Sequence, residues 1–430
     1  VAGECLWYCP PRRVAVGMAA SVTGEDAMAS RRFRDQARQP APLGLTRRQL
    51  LARSAGLGVL LGGGVPLLQA CGGGSESASG EPIADGLEPE AGPLRIVNYA
   101  DYVNPDVIAD FEAQYGVTVE ITTFDTDTEA TAKLASGAIK ADMHHSMVTS
   151  SVSNLIAAGI LQPLNRSYLG NFGNVIPSFG DPWYDPGAAY TVPYTFFGTG
   201  IGFRTDRIDP DEIAAQGWDA IWSATAFKGE VSVLDDVRET IAMSLLRRGI
   251  TDVNTTDPDL IAQALADLLE LVDSVNVKVN IEGYKDIPEG TTTIAHTWSG
   301  DLLTGAAGYL PDGTDPSVLG YWHPPADEYI ITNDSMGVLA SAEHPVLAHL
   351  YLNYLLDNAV AEKNFSWVGY LPCISSLDAD YVIDAGYVPE TLRSALPTAD
   401  DVASGLRLEP LDADGAAAWD DAWSKFTTGG

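Results

Sequence analysis

Four short stretches place carboxylates beside aromatic rings or at the ends of apolar runs. They are Asn98-Tyr99-Ala100-Asp101-Tyr102-Val103, Val231-Ser-Val-Leu-Asp235-Asp236-Val237-Arg238-Glu239, Ile294-Ala-His-Thr-Trp298-Ser-Gly-Asp301 and Tyr329-Ile-Ile-Thr-Asn-Asp334-Ser335. Such residues can do two kinds of chemistry. Carboxylates can accept the hydrogen bonds of a cation while ring faces attract its charge, or a pair of carboxylates can act as acid and base in hydrolysis. Each stretch also has a purely structural reading. Tyr99 and Tyr102 could be half-buried packing residues, and Trp298 could be core. Asp236 and Glu239 have capping-box spacing, so Asp236 could cap a helix while Glu239 reaches back, and Asp301 could cap a helix starting at Leu302.

The elements that must position these residues follow an α/β pattern. Leu94 to Asn98 alternates as a strand, Asn104-Pro105 supplies an N-cap and a first-turn proline, and Gly116 supplies a stop. Val117 to Thr123 is β-branched and completes a strand–helix–strand unit. A helix from about Thr128 to Ser136, a strand near Met143 and a helix from about Ser150 to Ala158 continue the series. Tyr190 to Phe203 reads as two extended runs broken at Gly198-Thr199-Gly200, a crossing between lobes. Further helices fit Pro258 to Val272, Pro345 to Asp357 and Gly415 to Phe426, the last with Trp419, Trp423 and Phe426 on one face. Loops after the carboxyl ends of strands face the ligand crevice in open α/β sheets. That rule places Tyr99, Tyr102, Asp236 and Glu239 at a crevice.

The 430 residues carry 25 Lys+Arg against 58 Asp+Glu, a formal charge of −33. Nucleic-acid and anionic-membrane binders need basic patches, so those classes are excluded and cationic partners are favoured. Nine of the basic residues precede residue 71, leaving 16 basic and 54 acidic residues for the remainder. Among the nine, Arg47-Arg48 form a twin-arginine pair before an apolar, glycine-rich stretch that ends in Leu68-Gln69-Ala70-Cys71. This pattern describes an export signal over residues 1–70, with Met28 the expected initiator. Leu-Gln-Ala-Cys resembles a bacterial lipobox, which makes Cys71 the expected lipidation site and membrane anchor. Residues 71–93, rich in Gly, Ser, Glu and Pro, are expected to form a flexible tether.

Cys373 is then the one cysteine of the folded part, so no intramolecular disulfide is expected there. No metal site is expected either. His144 and His145 point to opposite sides of a strand, and Asp125 to Glu129 lacks the glycine and the final acid of a calcium loop.

The stretches Asn98 to Val103, Tyr190 to Phe203, Gly217-Trp-Asp-Ala-Ile-Trp222, Phe227 to Glu239, Asn254-Thr-Thr-Asp-Pro258 and Val368-Gly-Tyr-Leu-Pro372 resemble the spermidine/putrescine-binding proteins of ABC importers, in consistent order from Leu94 to Phe426. The resemblance implies a type II periplasmic-binding-protein fold: two α/β lobes, 94–198 with 334–378 and 199–333 with 379–430, around a central cleft. It implies that Asp236, Glu239 and Asp334 bind amines between walls of Tyr99, Tyr102, Trp298 and Tyr370. Asp301 matches an acid of the putrescine-binding branch. The sequence departs from the family at Thr332, where an aromatic residue is common, near Ser150-Ser151, which lacks a tyrosine, and at Glu409, where a glutamine is common.

The expected ligand is a polyamine, and the expected partner is a membrane permease served by a monomeric, lipid-anchored carrier on the outer face of the cytoplasmic membrane. No catalytic residue and no cofactor are expected. Alternatives are the same fold holding another organic cation, an amino-acid-like compound or an opine, and, less favoured, a secreted hydrolase.

Overall fold

A computed structural model of the chain describes residues 80–124 and 126–429. The export segment, Cys71 and the first part of the tether lie outside the described residues.

Strand β1 (Leu94–Asn98) runs into helix α1 (Pro105–Tyr115) as its local signals dictate. Asn104 accepts the Asp106 amide at 2.9 Å, Pro105 opens the helix, and Gly116 closes it at φ 67°. Val107 and Phe111 supply the buried stripe. Strand β2 (Val119–Thr123) returns parallel to β1, with Leu94 opposite Val119. Helix α2 (Asp127–Ala135), strand β3 (Met143–Val148) and helix α3 (Thr149–Ala157) follow. His144 and His145 do face opposite ways, His144 against Phe124 and His145 against Tyr194.

Strand β4 (Thr191–Arg204) is a single strand of 14 residues, all buried except the last. The expected break at Gly198-Thr199-Gly200 is not there. These glycines admit close neighbours instead of bending the chain: a Cβ on Gly198 would lie 2.0 Å from the Tyr329 ring.

Beyond β4 come β5 (Val231–Leu234), α4 (Val237–Arg247), α5 (Pro258–Val275), β6 (Lys278–Asn280), β7 (Ile294–Trp298) and α6 (Ser299–Gly308). They are followed by β8 (Leu319–Trp322), β9 (Ile330–Val338), α7 (Pro345–Leu355), α8 (Asn358–Val368), β10 (Leu371–Pro372) and α9 (Ala413–Thr428).

The sheet runs β2-β1-β3-β9-β4-β7-β5-β6, with β8 and β10 also paired to β4. The antiparallel β4–β9 ribbon joins two parallel arms. Toward its start β4 pairs with β10, and toward its end with β7 and β8. Around the second arm, Val231, Ile241, Leu268, Trp419 and Phe426 form one core from β5, α4, α5 and α9. Phe111, Tyr351, Leu352 and Phe365 belong to another, under α1, α7 and α8.

Residues 80–93 correct the tether expectation, because they are strapped to the first arm. Asp85 accepts from Asn165 at 2.7 Å and from Ser167 at 2.9 Å, and Tyr168 donates to the Ala84 carbonyl. Glu90 accepts the amides of Val346 and Leu347, the first turn of α7, whose own N-cap His344 offers no side-chain bond. A polar segment cannot build a core, but its acids can satisfy the unpaired amides of a helix start. Glu90→Ala is therefore expected to cost about 1 kcal/mol, within the range for a lost cap. Urea unfolding measures this, and an unchanged midpoint would show that the strap adds nothing.

Burial lowers the imidazoles of His145 and His296 to about 3, well under the unfolded value of about 6.5. Both stay neutral in the native state while the unfolded chain takes up protons, so their contribution is lost as pH falls from 6.5 toward 3. His145 uses neither ring nitrogen. His145→Leu should flatten the fall of the melting temperature between pH 6.5 and 4, and an identical slope in variant and wild type would contradict this.

Candidate functional site

The β5–α4 junction carries the first pair of acids. Asp236 is the N-cap of α4, and its Oδ1 accepts the amides of Arg238 and Glu239, both at 2.9 Å. The reciprocal half of the capping box does not form. Glu239 turns inward instead, only 4% exposed, with Oε1 accepting from Trp298 Nε1 at 3.3 Å and Oε2 making no hydrogen bond of good geometry. Arg238, next in sequence, turns away. Its guanidinium bonds the Glu409 carbonyl and Asn254 Oδ1 and lies 4.7 Å over the Trp419 ring. Burial first, then the charge of Asp236, pushes Glu239 up to about 8. Burial also raises Asp236.

The β7–α6 junction carries the next acid. Trp298 ends β7 opposite Thr199 of β4, and α6 begins at Ser299 rather than Leu302. Asp301 therefore lies within the first turn and does not cap the helix. Its side chain is buried, accepting from Thr297 Oγ1 and, at 2.6 Å, from Tyr370 OH. Desolvation raises it to about 6 even though both hydrogen bonds favour the ionised form. The Tyr370 ring reaches Asp301 across Gly300, where a Cβ would stand 2.4 Å from the ring.

Asp334 sits in β9 on the shared ribbon, opposite Val148 of β3. Tyr102 OH donates to Asp334 Oδ2 at 2.8 Å and lies 2.7 Å from Thr195 Oγ1. From Tyr102 a line of edge-on rings crosses the molecule. Tyr99 lies 6.0 Å from Tyr102, Tyr102 lies 5.5 Å from Tyr370, Tyr370 lies 5.1 Å from Phe197, and Phe197 lies 6.0 Å from Trp298. The line ends at Glu239 through the Trp298 indole.

The structure thus gathers Tyr102, Tyr370, Trp298, Glu239, Asp301 and Asp334 into one site where the arms meet. Tyr99 lies at its edge, 4.4 Å from Phe124, and Asp236 stands behind Glu239 as a cap. A hollow of about 250 Å³ opens at the Tyr99 end, against Asp101, Val103 and Ile121, and touches none of the four acids. Phe197 escaped the sequence reading. Its signal is the period-two alternation Thr195, Phe197, Thr199, which puts all three on the site face of β4. Among the described residues no three His, Cys, Asp or Glu side chains converge as a metal-ligand set.

Two parallel arms on a common antiparallel ribbon, with acids and rings gathered at their junction, define a two-lobed α/β ligand-binding protein with type II periplasmic architecture. The chain belongs to the bacterial extracellular solute-binding protein family, whose pattern matches residues 106–387.

Among curated relatives, the spermidine/putrescine-binding periplasmic protein of Escherichia coli (strain K12) is 28% identical over 279 residues, 64% of this chain and 76% of its own length. The substrate-binding protein PotD of the spermidine/putrescine ABC transporter of Streptococcus pneumoniae shares the fold. Its TM-score is 0.63 at 21% identity, covering 78% of this chain and 98% of that one. AgtB of A. tumefaciens, solved with agropinic acid, matches with a TM-score of 0.56 at 17% identity, covering 78% and 98%. No helix among the described residues is long and apolar enough to cross a membrane.

Proposed function

We propose that this protein captures a polyamine of the putrescine or spermidine type between its two lobes and delivers it to the membrane permease of an ABC importer. One observation carries the reading: three buried acids, Glu239, Asp301 and Asp334, are spaced along an unbroken line of aromatic rings. A polyamine is a string of ammonium groups separated by methylenes. Each ammonium offers three donors and no acceptor, which a carboxylate matches in charge and in hydrogen bonding. The methylenes and charges favour ring faces, each cation–π contact contributing about 0.5–2 kcal/mol. Acids set along rings therefore read charge and spacing together.

In this reading residues 94–198 with 334–378 form one lobe and 199–333 with 379–430 the other, hinged on β4 and β9. Tyr102, Asp334 and Tyr370 come from one side of the cleft, and Glu239, Trp298 and Asp301 from the other, so an amine touching both favours closure. The protein acts as a monomer, exported and held to the outer face of the cytoplasmic membrane by a lipid on Cys71. It binds without turnover, since Asp236 and Glu239 share one helix turn and one of them is occupied as a cap.

A thermal-shift panel tests this reading. Putrescine, cadaverine or spermidine at a hundredfold excess over its dissociation constant should stabilise the protein by about 2.7 kcal/mol, and amino acids or opines should not. A panel in which no amine shifts the transition would overturn the proposal.

A further inference from the structure

Building on the amine-capture reading, we infer that the protein exchanges a proton for its ligand: Glu239 holds a proton in the unliganded molecule and releases it to solvent when an ammonium group arrives.

The geometry around Glu239 carries this. The side chain is 4% exposed, Oε1 accepts from the Trp298 indole at 3.3 Å, the Thr199 hydroxyl faces the carboxyl as a second neutral donor, and Oε2 makes no hydrogen bond of good geometry. An ionised carboxylate so placed has lost its water and gained no cation, so the neutral acid is the stable form until a cation enters.

No neighbouring element supplies that cation. On the turn that opens α4, Asp236 adds negative charge; the Arg238 guanidinium favours ionisation of Glu239 at a distance but makes no hydrogen bond to it, its NH groups going to the Glu409 and Val253 carbonyls and Asn254 Oδ1, and burial and Asp236 outweigh its pull. From β7 come Trp298 and His296, whose imidazole burial keeps neutral. From β8 comes Tyr321, a phenol whose ionisation burial suppresses, and from α6 comes Asp301, another acid. Thr199 of β4 is uncharged. All of these belong to the second arm or to the β4 segment paired with it. Its elevated pKa of about 8 agrees with a proton retained at neutral pH.

The exchange balances. The Oε2–H bond breaks, its electron pair stays on oxygen, the proton passes to buffer, and the incoming R–NH3+ remains protonated because alkylammonium groups titrate near 10. The product is a carboxylate–ammonium pair with its hydrogen bond formed.

Calorimetric titration with putrescine and with spermidine, at pH 7 in phosphate and in Tris, reads the proton directly, because the two buffers absorb it with different heats. The heats should differ by the equivalent of about half to one proton per amine, and apparent affinity should rise by up to about tenfold per pH unit from pH 6 to 7.5, flattening above 8. With amine high enough to saturate each variant and heats taken per mole bound, Asp301→Asn, itself a weaker binder, should retain the buffer difference, whereas Glu239→Gln should lose it. Equal heats in both buffers with normal wild-type binding would overturn the inference and leave amine capture standing. Loss of the difference in Asp301→Asn would place the proton elsewhere and overturn the assignment to Glu239. Absence of binding by either amine would overturn both.

Discussion

Glu239→Gln is expected to weaken spermidine binding by about a hundredfold while raising the melting temperature of the unliganded protein at pH 8 and above. Removing one partner of a buried, hydrogen-bonded charge pair costs about 2–5 kcal/mol, and every 1.4 kcal/mol is tenfold in affinity. The amide keeps the volume of the acid and can still accept from Trp298, so the loss is one of charge. The opposite effect on stability follows from the raised pKa. From about pH 4.5 the unfolded chain ionises this carboxyl while the native protein holds it neutral, so the native state loses stability progressively up to about pH 8, above which it carries the full cost of a buried carboxylate beside Asp236. Glutamine removes it.

Asp236→Asn separates the binding acid from its cap. Asparagine caps about as well as aspartate, and Asp236 already spends Oδ1 on two amides, so the affinity should change less than about tenfold. Equal losses in Glu239→Gln and Asp236→Asn, measured by titration, would contradict the division of roles.

Gly198→Ala should be among the most destabilising single methyl additions in the protein. The new Cβ would fall 2.0, 2.2 and 2.3 Å from three atoms of the Tyr329 side chain, which is fully buried and has no room to retreat. Overpacking of this kind costs about 1–3 kcal/mol or more, enough to lower the melting temperature by several degrees. Because β4 and β9 are the strands on which the arms meet, displaced rings here should also weaken ligand binding. Gly170→Ala is the control, since a Cβ there meets nothing within 4 Å. Equal melting temperatures for the two variants would show that the close approach is not strained.

Local grammar carried part of the sequence reading. Asn104-Pro105 and Gly116 bound α1 to the residue because a cap, a proline and a left-handed glycine act within a few bonds of themselves. The same locality explains the failures. Gly198 and Gly200 signal either a bend or a close approach, and only the tertiary neighbours Tyr329 and Tyr321 decide which. The Asp236–Glu239 spacing permits a reciprocal box, but it carries no record of the Trp298 indole that draws Glu239 inward from another strand. Residues 80–93 have the composition of a linker, yet Glu90 finds the bare start of α7 some 250 residues away. The acids and most of the rings of the site were legible as residue types at strand ends. Their order along the ring line was not, because it depends on the register of β4 against β7, β9 and β10.

The most direct test is a crystal structure of the protein with spermidine bound. Ammonium nitrogens should lie within hydrogen-bonding distance of Glu239 Oε2 and of Asp334, about 2.7–3.2 Å, with the methylene chain along Tyr102, Tyr370 and Trp298. An amine found outside this line of rings, or a cleft in which Glu239 Oε2 still has no partner with the amine bound, would contradict the account.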